Sequence, residues 1–248
     1  MKKIYFASDF HLGLPNFEKS IIREKLVVKW LDSIKENAKE IYLLGDVFDF
    51  WHEWKRVVPI GFTRFLGKIA EITDSGVPVY FFTGNHDIWT YKYLAQEVGV
   101  KIIRKPEIKT FGDKKFYLAH GDGLGPKDNS FKLVKKIFTG KFFQWVYARL
   151  HPNFAIYLAH SWSQSRDGLK KNPQFKGEEE WLIQHSRKLL ETIEIDYFVY
   201  GHRHIPLKYN LTEKSFYICL GDWIKNFTYA EFDGQEMKLL NFEGKIKF

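Results

Sequence analysis

Five times along the chain, a short apolar run stops on polar residues able to bind a cation. Ile4-Tyr5-Phe6-Ala7-Ser8 runs into Asp9 and His11, and Ile41-Tyr42-Leu43-Leu44-Gly45 into Asp46. Val79-Tyr80-Phe81-Phe82-Thr83-Gly84 delivers Asn85 and His86, and Phe116-Tyr117-Leu118-Ala119 delivers His120. Tyr197-Phe198-Val199-Tyr200-Gly201 delivers His202 and His204. These runs read as strands. Helix-period stretches lie between them: Glu18–Glu36 places Ile22, Leu26, Trp30 and Ile34 on one face, and Val58–Thr73 reads similarly. Strand and helix in alternation imply a sheet covered by helices, where ligands bind at the carboxyl ends of the strands. Residues nearly a chain length apart can therefore meet at one rim.

After Gly201 the rhythm changes to short strands with turn signals at Asp233-Gly234 and Glu243-Gly244, which predicts a second sheet of hairpins closing a sandwich. A length of 248 residues, 45% of them hydrophobic, suffices for one sizeable core or a core with an insertion. Mixed charges at 27% exclude a disordered composition. The single cysteine, Cys219, excludes an intramolecular disulfide and a thiolate zinc cage, and fits a reducing compartment. Met1-Lys2-Lys3 leads straight into a strand, and no long apolar window follows, so the expected location is cytoplasmic.

The stretch from Ser130 to Leu190 interrupts the alternation. It mixes Lys141, Arg149, Lys170 and Lys171 with Phe142, Phe143, Trp145, Tyr147, Phe154 and Tyr157, and predicts a basic, aromatic, mostly helical insertion. Two readings stand open for it. One is a helical cap whose aromatics are ordinary core; the other is a lid with an apolar, cation-rimmed groove for a lipid chain or an anionic membrane surface. The net charge of +8 favours anionic partners in general. No single-strand-binding motif is present, so nucleic acid is not the expected partner.

The donor types narrow the ion. Imidazole, carboxylate and amide oxygen without thiolate suit Mn²⁺, Fe or Zn²⁺. Asp9, His11, Asp46, Asn85, His120, His202 and His204 exceed what one tetrahedral site needs, whereas two ions sharing a carboxylate would use them all. Taken singly, each motif is weak: Asp9-x-His11 occurs by chance, Gly84-Asn85-His86-Asp87 is also a turn sequence, and Gly201-His202-Arg203-His204 also suits a surface hairpin. Their succession, each at the end of an apolar run, is what gives the signal.

The order Asp9-x-His11, Gly45-Asp46-x-x-Asp49, Gly84-Asn85-His86-Asp87, His120-Gly121-Asp122, Gly201-His202-x-His204 resembles the calcineurin-like metallophosphoesterase superfamily over nearly the whole chain. The resemblance implies a four-layer α/β/β/α sandwich: a single domain spanning 1–248, with a helical lid inserted at 130–190. It implies two divalent ions, Mn²⁺ first among the candidates. Asp9, His11, Asp46 and His204 would hold one; Asp46, Asn85, His120 and His202 would hold the other, with Asp46 bridging. Asn85, and His86 oriented by Asp87, would be the catalytic groups facing the phosphoryl oxygens.

A narrower resemblance is to the UDP-2,3-diacylglucosamine pyrophosphatases. It rests on Gly45-Asp46-Val47-Phe48-Asp49-Phe50-Trp51, on Leu220-Gly221-Asp222-Trp223, on chain length, and on the insertion after His120-Gly121-Asp122. It implies hydrolysis of UDP-2,3-diacylglucosamine to UMP and 2,3-diacylglucosamine 1-phosphate in lipid A biosynthesis. Contacts to that acylated nucleotide sugar would come from Asn85, His86, Asp128, Ser163, Asp167, Lys170 and His202, with peripheral contact to the inner face of the inner membrane. Two departures stand out: His86 occupies the place of an arginine in better-known members, and Asp167 that of a neutral amide. A histidine keeps a phosphate-directed group there but makes it titratable near neutrality. A soluble nucleotide or phosphoester substrate, or a nuclease activity, is the alternative on the same core.

Overall fold

Alternation inside the apolar runs decides which way each strand faces. The computed structural model describes residues 2–125, 137–166 and 174–242, without the side chains of 162–166. In β1 (Lys3–Ala7), Ile4 and Phe6 point to one side and Tyr5 and Ala7 to the other, and all four are buried. β2 (Ala38–Leu44), β3 (Val79–Phe82) and β4 (Lys101–Ile103) pair in parallel beyond it. The second sheet has the order β5-β6-β7-β9-β8, from β5 (Glu107–Phe111), β6 (Lys114–Ala119), β7 (Tyr197–Tyr200), β8 (Pro206–Asn210) and β9 (Phe216–Leu220). There β6, β7 and β9 are parallel. β10 (Thr228–Phe232) and β11 (Met237–Asn241) return to the first sheet, giving the order β11-β10-β1-β2-β3-β4.

Three apolar layers separate four structural ones. Val27, Trp30 and Leu31 of α1 (Phe17–Ile34) and Phe65 and Ile69 of α2 (Thr63–Asp74) pack on the outer face of the first sheet. Between the sheets, Ile4, Phe6, Tyr42 and Leu44 meet Phe116, Leu118, Val199 and Ile218. Phe6 stacks on Phe116 at 5.9 Å across that gap. Tyr117, Phe198 and Tyr200 face outward onto Leu182 and Ile183 of α6 (Trp181–Leu190). This is an α/β/β/α sandwich, and each side chain buried in it contributes roughly 2 kcal/mol. A short α3 (Tyr93–Glu97) precedes β4.

The expected hairpin sheet after Gly201 requires correction. The turn at Asp233-Gly234 does join antiparallel β10 and β11, but β10 pairs with β1, through Ile4 opposite Phe232. The second sheet instead begins at β5, well before Gly201, and mixes parallel with antiparallel pairs. Local turn chemistry specifies a hairpin, not the sheet edge that it joins. The Glu243-Gly244 turn lies outside the described residues.

The apolar face of α1 is also rotated from the expected one. Ile22 is 68% exposed, while Arg23 and Glu24 are buried beside Val27 and Trp30. Arg23 donates from Nη1 to the carbonyls of Phe10 (3.1 Å) and His11 (2.6 Å), and from Nη2 to Leu14 (3.0 Å). Glu24 Oε1 accepts from the N–H groups of Arg64 (2.8 Å) and Phe65 (3.0 Å), capping α2, which lacks a side-chain cap of its own. α2 starts at Thr63 instead of Val58, because Pro59 and Gly61 break the preceding stretch.

Two further helices, α4 (Lys141–Tyr147) and α5 (Pro152–Arg166), carry an outward aromatic surface. Phe142 and Tyr157 are each 67% exposed, and Phe143, Trp145 and Phe154 are also open to solvent, so these are not core residues. Arg149 lies over the Trp145 ring at 4.4 Å. Among the described residues, no helix is long and apolar enough to cross a membrane.

Replacing Arg23 with methionine would strand three buried carbonyls. The expected loss is about 2–4 kcal/mol in a urea melt.

Candidate metal centre

Where the strands end, the backbone turns through a conformation that side chains disfavour. Asp9, His11, Asp46, His202 and His204 have φ of 55°, 44°, 51°, 65° and 54°, in the left-handed region. Each such turn costs on the order of 1 kcal/mol or more, and strain gathered at one rim marks a functional site. Glycines make the close approach possible. A Cβ on Gly45 would lie 2.6 Å from His120 Nδ1, one on Gly201 2.5 Å from Asp9 Oδ2, and one on Gly84 would overlap the Asp46 carboxylate.

The expected donors converge. His204 Nε2 lies 3.2 Å from Asp9 Oδ1 and 3.3 Å from His11 Nε2. His11 Nε2 is 3.8 Å from Asp46 Oδ2, and His120 Nε2 is 3.2 Å from that same oxygen. Asn85 Oδ1 is 3.4 Å from His120 Nε2, and the His202 and His120 rings are 5.1 Å apart. Three sets of donor atoms, each within 4.8 Å of one another, result: Asp9, His11, His204; His11, Asp46, His86; Asp46, His120, His202. Asp46 belongs to two of them.

Neighbouring groups orient these donors. His120 Nδ1 donates to the Leu44 carbonyl at 2.7 Å, which turns Nε2 to the centre. The His202 N–H donates to Asp9 Oδ2 (2.9 Å), and the His86 N–H to Asp46 Oδ1 (2.9 Å). The His86 ring meets Asp49, with Nδ1 2.8 Å from its carbonyl and 3.5 Å from its carboxylate. The Asp87 carboxylate accepts from the N–H groups of Gly84 (2.7 Å) and Val47 (2.8 Å), tying the loop of Asn85 to that of Asp46. Ser163 lies on α5, and its side chain is outside the described set; Asp128, Asp167 and Lys170 lie outside the described residues altogether.

The charges fit a cation site. Burial pushes Asp46 and Asp9 up, but His120 beside the first and His204 beside the second hold both below the usual carboxylate range. Burial depresses His120 and His204, yet Asp46 and Asp9 raise them to about 10 and about 9. His202 is pushed down to about 4 by burial and by His120. Asp87 rises to about 7 through burial and the charge of Asp46. His120 and His204 thus favour their protonated forms beside the two carboxylates, and the Nε2 atoms of His11 and His204 lie 3.3 Å apart. Buried carboxylates and convergent imidazoles of this kind suit divalent first-row ions, which replace those protons.

The model of the calcineurin-like phosphoesterase family matches residues 2–206. The chain belongs to this family. A calcineurin-like phosphoesterase is a metal-dependent hydrolase of phosphorus–oxygen bonds, which agrees with the donor set. The chain is 37% identical to the UDP-2,3-diacylglucosamine hydrolase of Porphyromonas gingivalis, with 97% of this chain and 98% of that protein aligned. It is 25% identical to the protein of the same name from Actinobacillus succinogenes, over 96% of this chain and 99% of that one. Among solved structures, a phosphoesterase from E. coli aligns with a TM-score of 0.49 at 15% identity, covering 99% of this chain and 97% of its own.

Three residues to which the sequence reading attached no role support this phosphoesterase rim. Ser8 Oγ donates to Asp9 Oδ2 at 2.5 Å. Asp222 accepts from the N–H groups of Ile224 and Lys225 at 2.7 Å and lies 3.9 Å from His204 Nδ1. Asp49, fully enclosed, has Oδ1 3.6 Å from His11 Nδ1 and Oδ2 3.1 Å from His160 Nδ1. Burial pushes its carboxyl up, but His11 and His160 hold it well below the usual range. The signals were adjacency to Asp9, the final Gly-Asp-Trp, and the spacing of three from Asp46.

Two outcomes are expected. Gly84→Ala should abolish tight binding of divalent ions, read by calorimetry, because its methyl group occupies the space of the Asp46 carboxylate. Metal binding at pH 7.5 should release about two protons, from His120 and His204, and weaken as pH falls. Calorimetry in buffers of different ionisation enthalpy measures both.

Proposed function

We propose that this phosphoesterase cleaves the pyrophosphate bond of UDP-2,3-diacylglucosamine, yielding UMP and 2,3-diacylglucosamine 1-phosphate for lipid A biosynthesis. The end-to-end likeness to the Porphyromonas gingivalis hydrolase carries this choice of substrate. The outward aromatics of α4 and α5 support it, because an acylated substrate needs an apolar surface.

Asp9, His11, Asp46 and His204 would hold one divalent ion, and Asp46, Asn85, His120 and His202 a second, with Mn²⁺ as the proposed metal. Such ions, when bound, supply Lewis acidity at phosphoryl oxygens and lower the pKa of attacking water. The protein's part is orientation. With Nδ1 held by the Asp49 carbonyl, His86 meets the phosphoryl group or leaving oxygen through Nε2. Asn85 and His202 reach the same oxygens, and Asp87 holds the loop that presents them. Asp128, Ser163, Asp167 and Lys170 are the proposed contacts to sugar and phosphate.

Within 130–190, the part that carries α4 and α5 acts in this reading as a lid on a single domain, with acyl chains laid on Phe142, Phe143, Trp145 and Tyr157, while α6 at the end of that span belongs to the sandwich. Burial contributes about 0.8 kcal/mol per methylene. The same aromatics with Lys141 and Arg149 suit peripheral contact with an anionic leaflet on the cytoplasmic side, where the substrate resides.

The test is UMP release in Mn²⁺ from UDP-2,3-diacylglucosamine beside UDP-sugars without acyl chains. The acylated substrate should be favoused on the order of a hundredfold in kcat/KM, the worth of about three or four buried methylenes. Asp46→Ala should abolish release from both. Equal rates on both substrates would remove the lipid reading and leave the metal chemistry standing.

A further inference from the structure

Among the described residues, one of the contacts that seat the helical segment on the body of the protein leads to the donor residues of the candidate metal centre. Tyr147 of α4 packs on Trp89 at 4.5 Å and on His52 at 5.2 Å. From α5, His160 reaches across with Nδ1 3.1 Å from Asp49 Oδ2, its ring 6.3 Å from that of Phe50. The other oxygen of Asp49, Oδ1, lies between two imidazoles, 3.6 Å from His11 Nδ1 and 3.5 Å from His86 Nδ1. His11 Nδ1 is buried and has no closer hydrogen-bond partner among the described residues. His11 Nε2, on the far side of the ring, faces His204, Asp9 and Asp46. A contiguous path thus runs from α5 through His160, Asp49 and His11 to the donor cluster.

A carboxylate turns easily about its last bond, because that torsion has no sharp staggered wells. A donor on Oδ2 stops the turning and keeps Oδ1 on the imidazole behind it. Partners that fix a metal-binding histidine from behind are worth about 10- to 100-fold in metal affinity. We propose that His160 is a positioning residue which, by holding Asp49 Oδ2, keeps Oδ1 on His11 and so couples the seating of α5 to the affinity of one metal position. The inference rests on the dinuclear reading of the site and is independent of the acylated substrate. Coupling is reciprocal, so a bound ion steadies α5 as much as a seated α5 steadies the ion.

The test uses the full-length protein, stripped of metal and titrated with MnCl₂ by calorimetry, as wild type, His160→Leu and His160→Asn. Leucine keeps bulk against Phe50 without a donor; the asparagine amide places a donor where Nδ1 was. The His160 side chain is 35% exposed, so both variants should fold, checked by melting in EDTA, with His160→Ala held in reserve. The expected result is two ions bound by wild type, one of them about tenfold weaker in His160→Leu, and recovery within about twofold in His160→Asn. Amide exchange in α5 should slow on adding Mn²⁺ in wild type and His160→Asn, and not in His160→Leu. A leucine variant that binds both ions as wild type does, or an asparagine variant as weak as leucine, overturns the proposal. A wild type that binds no Mn²⁺ overturns the dinuclear reading itself.

Discussion

A buried charge taken from one sheet is met by an imidazole from the other, and the working rim depends on that meeting. Asp46 leaves the end of β2 in the first sheet, and His120 leaves the end of β6 in the second, 3.2 Å away. Neither group would tolerate such burial alone. The apolar layer between the sheets, with Phe6 on Phe116, fixes the spacing that brings them together. Left-handed turns at the strand ends then bring Asp9, His11, His202 and His204 to the same rim, His202 in a different donor set from the other three. Packing supplies the free energy that holds these strained turns, and the turns supply a cluster that only cations or protons can neutralise.

Polar residues behind the rim make it rigid. Arg23 holds the carbonyls on either side of His11, and Asp87 staples the Gly84 loop to the Asp46 loop. Asp49 gathers imidazoles from three places in the chain, namely His11, His86 and His160. In each case a buried polar group has at least one backbone or imidazole partner from a different element. The same groups that satisfy hydrogen bonding therefore also set the geometry of the donors. The helical segment differs: Phe142 and Tyr157 stay outward, and Phe138, Tyr147 and His160 are among the described residues that seat it.

The apolar runs were legible because their ends are marked locally, by Gly, Asp, Asn and His after strand-forming residues. That is why β1, β2, β3, β6 and β7, together with the convergence of their terminal donors, could be read from the chain. The face of α1 could not be read: Arg23 and Glu24 are polar by type, and only their partners in other segments explain their burial. Asp49 stood in the motif without a role for the same reason. Its three imidazole neighbours come from sequence positions as remote as 160.

The chain by itself determined the donor types, their order and the strands that end on them, since these follow from composition and period along a single segment. Tertiary structure decided which sheet received β10 and β11, which face of α1 is buried, and which carboxylate stands behind which histidine. The physical reason is that strand partners and hydrogen-bond partners are chosen by position in space. A turn sequence specifies a hairpin without specifying its neighbour, and an aspartate specifies an acceptor without specifying its donor.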